Sequence, residues 1–198
     1  MRFDFSPTLA FYTEVANDMP TEQFQHFRID SKLGSGGMGE VYLALDQKLD
    51  RLVALKILPE ELGADPVRRA RFLQEAKTAS SLTHPNVCVI YEIGESSEHQ
   101  PYIAMELVDG EPLDQIIAGR ALPMNTVIDF ALQVSDALSA ASEVEIVHRD
   151  IKPSNIMING RKQAKVLDFG LAKRLQEQPL GETTDLAKTR EGQIMGTP

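Results

Sequence analysis

The chain has 198 residues, 42% of them apolar, enough to enclose a core as one large domain or as two small lobes. Its formal net charge of −9 and pI near 4.9 argue against a nucleic-acid-binding face or an anionic-membrane surface, because both need clustered positive charge. No apolar run approaches the roughly 18 residues of a membrane helix, so no membrane segment is expected and the chain reads as cytoplasmic.

In chain order, residues 1–25 show no sustained period and are interrupted by Pro7, Asn17, Asp18 and Pro20. They read as an N-terminal extension, with a short helix around Leu9 to Ala16. From Phe27 the pattern becomes strand-like, with strands expected at Phe27 to Leu33, Val41 to Leu45, Arg51 to Ile57, Val87 to Glu92 and Pro101 to Glu106. Cys88, the one cysteine, lies in the apolar run Val87 to Ile90 and reads as a core residue in a reducing compartment.

The first two strands bracket Gly34-Ser35-Gly36-Gly37-Met38-Gly39. A G-x-G-x-x-G spacing alone is weak, since a dinucleotide-binding fold uses it before a helix. Here a strand follows, Val41-Tyr42-Leu43-Ala44-Leu45, so the glycines form the tip of a hairpin whose backbone amides can close over phosphates. In the third strand the two-residue period puts Ala54 and Lys56 on one face and Val53, Leu55 and Ile57 on the other.

Asp65-Pro66 is a good helix start, a side-chain cap followed by proline in the first turn, and the helix is expected to reach about Leu82. Phe72, Glu75, Ala76 and Ala79 share a face, and an acid on an apolar stripe needs a cation. A second helix is predicted with Asn125 as its cap and Val127, Phe130, Ala131, Val134, Leu138 and Ala141 along one side. Next come His148-Arg149-Asp150-Ile151-Lys152-Pro153-Ser154-Asn155, a predicted hairpin over 156–167, and Asp168-Phe169-Gly170. The hairpin should bring Asn155 and Asp168 face to face, two oxygen donors suited to a hard divalent cation, with Lys152 and Asp150 beside them. Such a site wants a nucleotide.

These motifs, in this order and local context, resemble the eukaryotic-type (Hanks-type) serine/threonine protein kinases, and GSGGMGEVY from Gly34 to Tyr42 is most similar to the bacterial subgroup. The resemblance implies an α+β, protein-kinase-like two-lobe fold. Its complete N-lobe, an antiparallel sheet plus one main helix, would occupy residues 26–106. The lobe linker and only the first part of the helical C-lobe would occupy 107–198, truncated within the activation segment.

By the same resemblance, ATP is the nucleotide and Mg2+ the ion, with Mn2+ as an alternative. Gly34, Gly36, Gly37 and Gly39 would cover the phosphates, while Ala54 leaves room for adenine. Lys56 would reach the α- and β-phosphates and pair with Glu75. Leu33, Val41, Met105 and Met157 would line the nucleotide pocket, and backbone groups of Glu106 and Val108 would bond the adenine edge. Asp150 would take or orient the proton of the substrate hydroxyl, Lys152 would stabilise the transferred group, and Asn155 with Asp168 would hold the metal.

Thr197 would contact Asp150 and Lys152. A phosphate on Thr183, Thr184 or, by preference, Thr189 would pair with Arg149. Protein substrates with serine or threonine acceptors, autophosphorylation and a dimer that supports it are the implied partners and activity. The alternative is a truncated, catalytically weak nucleotide-binding or scaffolding module. One departure from the family pattern is Glu143-Val144-Glu145-Ile146, where relatives have a glycine-containing turn.

Overall fold

A computed structural model describes residues 22–36 and 39–169. The upper part is a six-stranded antiparallel sheet built from β1 (Glu22–Phe24), β2 (Phe27–Gly36), β3 (Gly39–Asp46), β4 (Arg51–Ile57), β5 (Ile90–Glu95) and β6 (Pro101–Glu106). Its spatial order is β1-β2-β3-β4-β6-β5. Between β4 and β5 lie α1 (Glu60–Ala64) and α2 (Pro66–Ser80).

The alternation along β4 sorts its residues as the two-residue period requires. Ala54 belongs to a core shared with Phe72, Ala76 and Ala79 of α2 and with Ile103 and Met105 of β6. Val53 and Leu55 belong to a second core on the opposite face, with Phe27, Ile29, Ala44, Tyr102 and Ala104. That second face is closed by the sheet's own curl, which brings Phe24 and Phe27 edge-on to Tyr102 at 5.5 and 5.7 Å between ring centroids. Phe24 sits in β1, so the last residues of the expected N-terminal extension are built into the sheet, pairing with β2 from Glu22↔Ile29 to Phe24↔Phe27.

Helix α2 starts as its sequence dictates. Asp65 Oδ1 accepts hydrogen bonds from Val67 N at 2.9 Å and Arg68 N at 3.1 Å, and Pro66 occupies the first turn. Truncating the fully buried Phe72 to alanine would cost about 3–5 kcal/mol in transfer and cavity energy.

The lower part contains β7 (Gly110–Pro112), α3 (Leu113–Ile117), α4 (Met124–Glu143), a 3-10 turn (Pro153–Asn155), β8 (Ile156–Asn159) and β9 (Ala164–Val166). β7, β8 and β9 form a small antiparallel sheet. One end of α4 packs Phe130 against Ile156, Ile158 and Ala164, and the other packs Ala137 and Ala141 against Val87, Val166 and Phe169. Among the described residues no helix is long and apolar enough to cross a membrane.

Three sequence expectations are corrected here. Asn125 does not cap α4: the helix already begins at Met124, with Pro123 before it and no side-chain cap. Val127 and Ala131 are exposed, and the buried stripe runs through Phe130, Ala137 and Ala141. The strand expected from Val87 begins at Ile90 instead, because residues 86–88 pair downward: Cys88 N donates to Val166 O at 2.9 Å and Val166 N to Asn86 O at 2.8 Å. The short helix expected around Leu9 to Ala16 lies outside the described residues.

Candidate functional site

The glycine hairpin closes with Gly36 opposite Gly39, Gly34 opposite Val41 and Val41 opposite Lys56. Gly39 has φ +107°, and a Cβ there would lie 2.1 Å from Ile57 O, so only glycine fits. On the outer side a brace joins the two strands: the Lys32 ammonium and the Tyr42 hydroxyl both donate to the Glu40 carboxylate. The Lys32 and Tyr42 bonds draw the Glu40 pKa down, and the bond to Glu40 pushes the Tyr42 phenol up to about 12. Gly37 lies outside the described residues.

Beneath the hairpin, Lys56 is buried on β4, with Val41 on one side and Ile103 on the other. Its ammonium donates to Asp168 Oδ2 at 2.7 Å. This departs from the expected Lys56–Glu75 pair. No ion pair within 4.0 Å joins those two among the described residues, and Glu75 is half-buried on α2. With Asp168 at 30% side-chain exposure and Lys56 at 7%, the ammonium depends on that carboxylate to offset its lost hydration.

The second half of the site is the loop before β8. Asp150 Oδ2 accepts from Lys152 Nζ at 2.9 Å and from Asn155 Nδ2 at 3.1 Å, while the same amide nitrogen donates to Asp150 O at 2.8 Å. The 3-10 turn from Pro153 delivers Asn155, and Leu167 N then donates to Asn155 O at 2.9 Å. That bond seats Leu167, the residue before Asp168, against Asn155.

His148 anchors the loop from behind. Its Nδ1 accepts from Asp150 N at 3.3 Å, its Nε2 lies 2.7 Å from Leu167 O, and its ring meets Phe169 edge-on at 4.8 Å. Those contacts suit the neutral ring with the proton on Nε2. Burial accordingly holds its pKa below the ordinary imidazole value, against opposing contributions from Leu167 O and the charges of Asp168 and Asp150. The sequence pattern gave His148 no such role, although a histidine two residues before a site aspartate was a signal for it.

The donor set suits a hard divalent ion. Asn155 engages Asp150 through Nδ2, and Asp168 engages Lys56 through Oδ2 alone among the described residues. One amide oxygen and one carboxylate match Mg2+, which takes few protein ligands and keeps other positions for water and phosphate.

Around this centre, Ala54 pairs with Met105 across β4 and β6, and both are buried in the upper core with Val41, Leu107 and Val108 packed against it. Glu106 ends β6, and Leu33 is exposed on β2. Met157, half-buried on β8, lies opposite both Pro112 and Lys165. Arg149 is exposed with φ 65°, whereas Thr183, Thr184, Thr189 and Thr197 lie outside the described residues.

The sequence profile of the protein kinase domain matches residues 27–191. The chain belongs to the protein kinase family. This kinase chain is 38% identical over 177 residues to serine/threonine-protein kinase PknA of Mycobacterium tuberculosis, covering 86% of the chain and 39% of that relative. It is 41% identical over 180 residues to serine/threonine-protein kinase pkn3 of Myxococcus xanthus, covering 87% of the chain and 32% of the relative. Its structure resembles the Mycobacterium tuberculosis PknI kinase domain with a TM-score of 0.69 at 32% identity, covering 79% of the chain and 64% of that domain. The chain therefore spans a third to two fifths of the length of these two curated relatives and under two thirds of the solved domain.

Proposed function

We propose that the chain carries the nucleotide site of a serine/threonine protein kinase, which transfers the terminal phosphoryl group of ATP to a protein hydroxyl with Mg2+ as its ion. The reading is supported first by the 2.9 Å bond from Leu167 N to Asn155 O, which unites two clusters distant in sequence: Lys56 with Asp168, and Asp150 with Lys152 and Asn155. The division of labour follows from the chemistry of each group. Asn155 and Asp168 would hold the metal, whose charge neutralises phosphate oxygens. Lys56 exchanges its bond to Asp168 for phosphate, and the glycine amides of the β2–β3 hairpin cover the same oxygens.

Asp150 is held by Lys152 and Asn155; there its carboxylate would orient a substrate hydroxyl and take its proton, and the Lys152 ammonium would stabilise the transferred group. Serine and threonine acceptors, autophosphorylation through a dimer and a cytoplasmic setting belong to this proposal. So does a lobe boundary after Glu106, with residues 26–106 above it and 107–198 below. All five polar groups are present and clustered, which favours transfer over a purely scaffolding role.

The test is incubation with γ-labelled Mg-ATP and a general protein acceptor, followed by phosphoamino-acid analysis. Label on serine and threonine that disappears with Asp150→Asn supports the assignment; label that persists undiminished in that variant refutes it.

A further inference from the structure

A largely buried ion pair ties the upper sheet to the strand that leads to Asp168. Lys165 Nζ lies 2.8 Å from Glu106 Oε2, and their side chains are 12% and 22% exposed. The same Glu106 oxygen accepts from Val89 N at 3.2 Å, and Lys165 Nζ also donates to Val87 O at 3.4 Å. Glu106 is the last residue of β6, and its backbone N donates to Val89 O at 2.8 Å. Lys165 stands on β9 between the buried Ala164 and Val166, three residues before Asp168.

We propose that Lys165 and Glu106 act as a positioning pair, coupling the adenine side of the nucleotide site to its metal side. This rests on the nucleotide reading above, in which the linker backbone from Glu106 to Val108 bonds the base while Asp168 bonds the metal. A bound nucleotide must span those two subsites. A tie from the residue that opens the linker to the strand carrying the metal ligand fixes that span before the nucleotide arrives.

Stability alone is a poor reason for the pair. Taking an ammonium and a carboxylate out of water costs about as much as their attraction returns, and well-packed apolar residues often serve as well. What an ion pair supplies that an apolar contact does not is a fixed register. A surface lysine would have its charge in water, yet Lys165 is turned inward against Glu106 at the end of β6 and the carbonyl of Val87. β9 is three residues long, so a displacement at Lys165 passes directly to Asp168.

The experiment measures the affinity of the chain for two probes, Mg-ADP and adenosine, in four forms: the unaltered protein, Lys165→Met, Glu106→Gln and the double variant. Adenosine reports the base subsite alone, whereas Mg-ADP needs both. Each single variant is expected to weaken Mg-ADP binding about tenfold, within the range of ordinary site-to-site coupling, while in Lys165→Met adenosine binding changes less than about twofold. The double variant should be no worse than either single one, and Lys165→Arg should restore Mg-ADP binding.

Equal Mg-ADP affinity in all forms would overturn the proposal while leaving the nucleotide reading intact. Parallel loss of both probes without rescue by arginine would overturn it too, as the mark of a merely structural pair. If the unaltered protein binds no Mg-ADP, the nucleotide reading fails, and the positioning role fails with it.

Discussion

Lys56 and Asp168, 112 positions apart in the chain, meet at 2.7 Å, and the two are unequally hydrated. The ammonium is almost wholly enclosed at 7% side-chain exposure, while the carboxylate keeps 30%. Removing the partner of the more enclosed charge is the costlier change. Asp168→Ala is therefore expected to destabilise the chain by about 3 kcal/mol, and Lys56→Met by about 1 kcal/mol, because the freed carboxylate can rehydrate. Urea denaturation of the two variants checks the order, and a larger loss for Lys56→Met would contradict it.

Asp150 is gripped by Lys152 and Asn155, while Lys56 bonds Asp168. Asp150→Asn should lower phosphoryl transfer by about 10²–10⁴, the usual worth of a general base, and leave Mg-ADP affinity within about twofold. Steady-state kinetics alongside a binding titration separates the two effects.

At the hairpin tip two glycines differ in what they exclude. A Cβ at Gly39 would strike Ile57 O at 2.1 Å on a backbone with φ +107°, whereas one at Gly34 meets nothing within 4 Å. Gly39→Ala should cost about 1–3 kcal/mol, and Gly34→Ala should stay within about 0.5 kcal/mol. Melting curves of the two variants test the contrast.

The turn after α4, Glu143 to Ile146, contains no glycine. Glu145 takes φ 59°, and its N–H closes on Ser142 O at 3.1 Å while Ile146 N reaches Ala141 O at 2.9 Å. A side chain in the left-handed region costs roughly 1–2 kcal/mol that glycine avoids. Glu145→Gly is therefore expected to raise stability by about 1 kcal/mol, measured by chemical denaturation.

His148 gives the fold a pH dependence of definite sign. Its folded pKa lies below the ordinary imidazole value, chiefly through burial, so the unfolded chain binds the proton more readily. The contribution is fully present above the unfolded pKa, about 6.5, and is lost as pH falls from there through the folded value. Stability measured from pH 7.5 downward should fall less steeply in His148→Phe than in the unaltered chain; identical slopes would exclude the effect.

Much of this arrangement was legible in the sequence wherever a local rule sufficed. The period of β4 separated Ala54 and Lys56 from Val53 and Leu55, and Asp65-Pro66 marked the start of α2, because both depend only on neighbouring residues. Local rules failed where the deciding partner is remote. β1 is three residues long and owes its place to Phe24 meeting Tyr102, a contact no short pattern encodes.

On α4, apolar residues occupy more than one face. Val127, Ile128 and Leu132 are exposed and Ala137 is buried, so periodicity could not say which side the hairpin would cover. The pairing of Lys56 with Asp168, 112 positions away, is likewise a tertiary matter.

The most direct test of the shared site is calorimetric titration of the chain with ADP, with and without Mg2+. A single nucleotide site requires binding that Mg2+ strengthens, with the gain lost in both Asn155→Ala and Asp168→Ala. Affinity indifferent to Mg2+, or a gain that survives both substitutions, would contradict it.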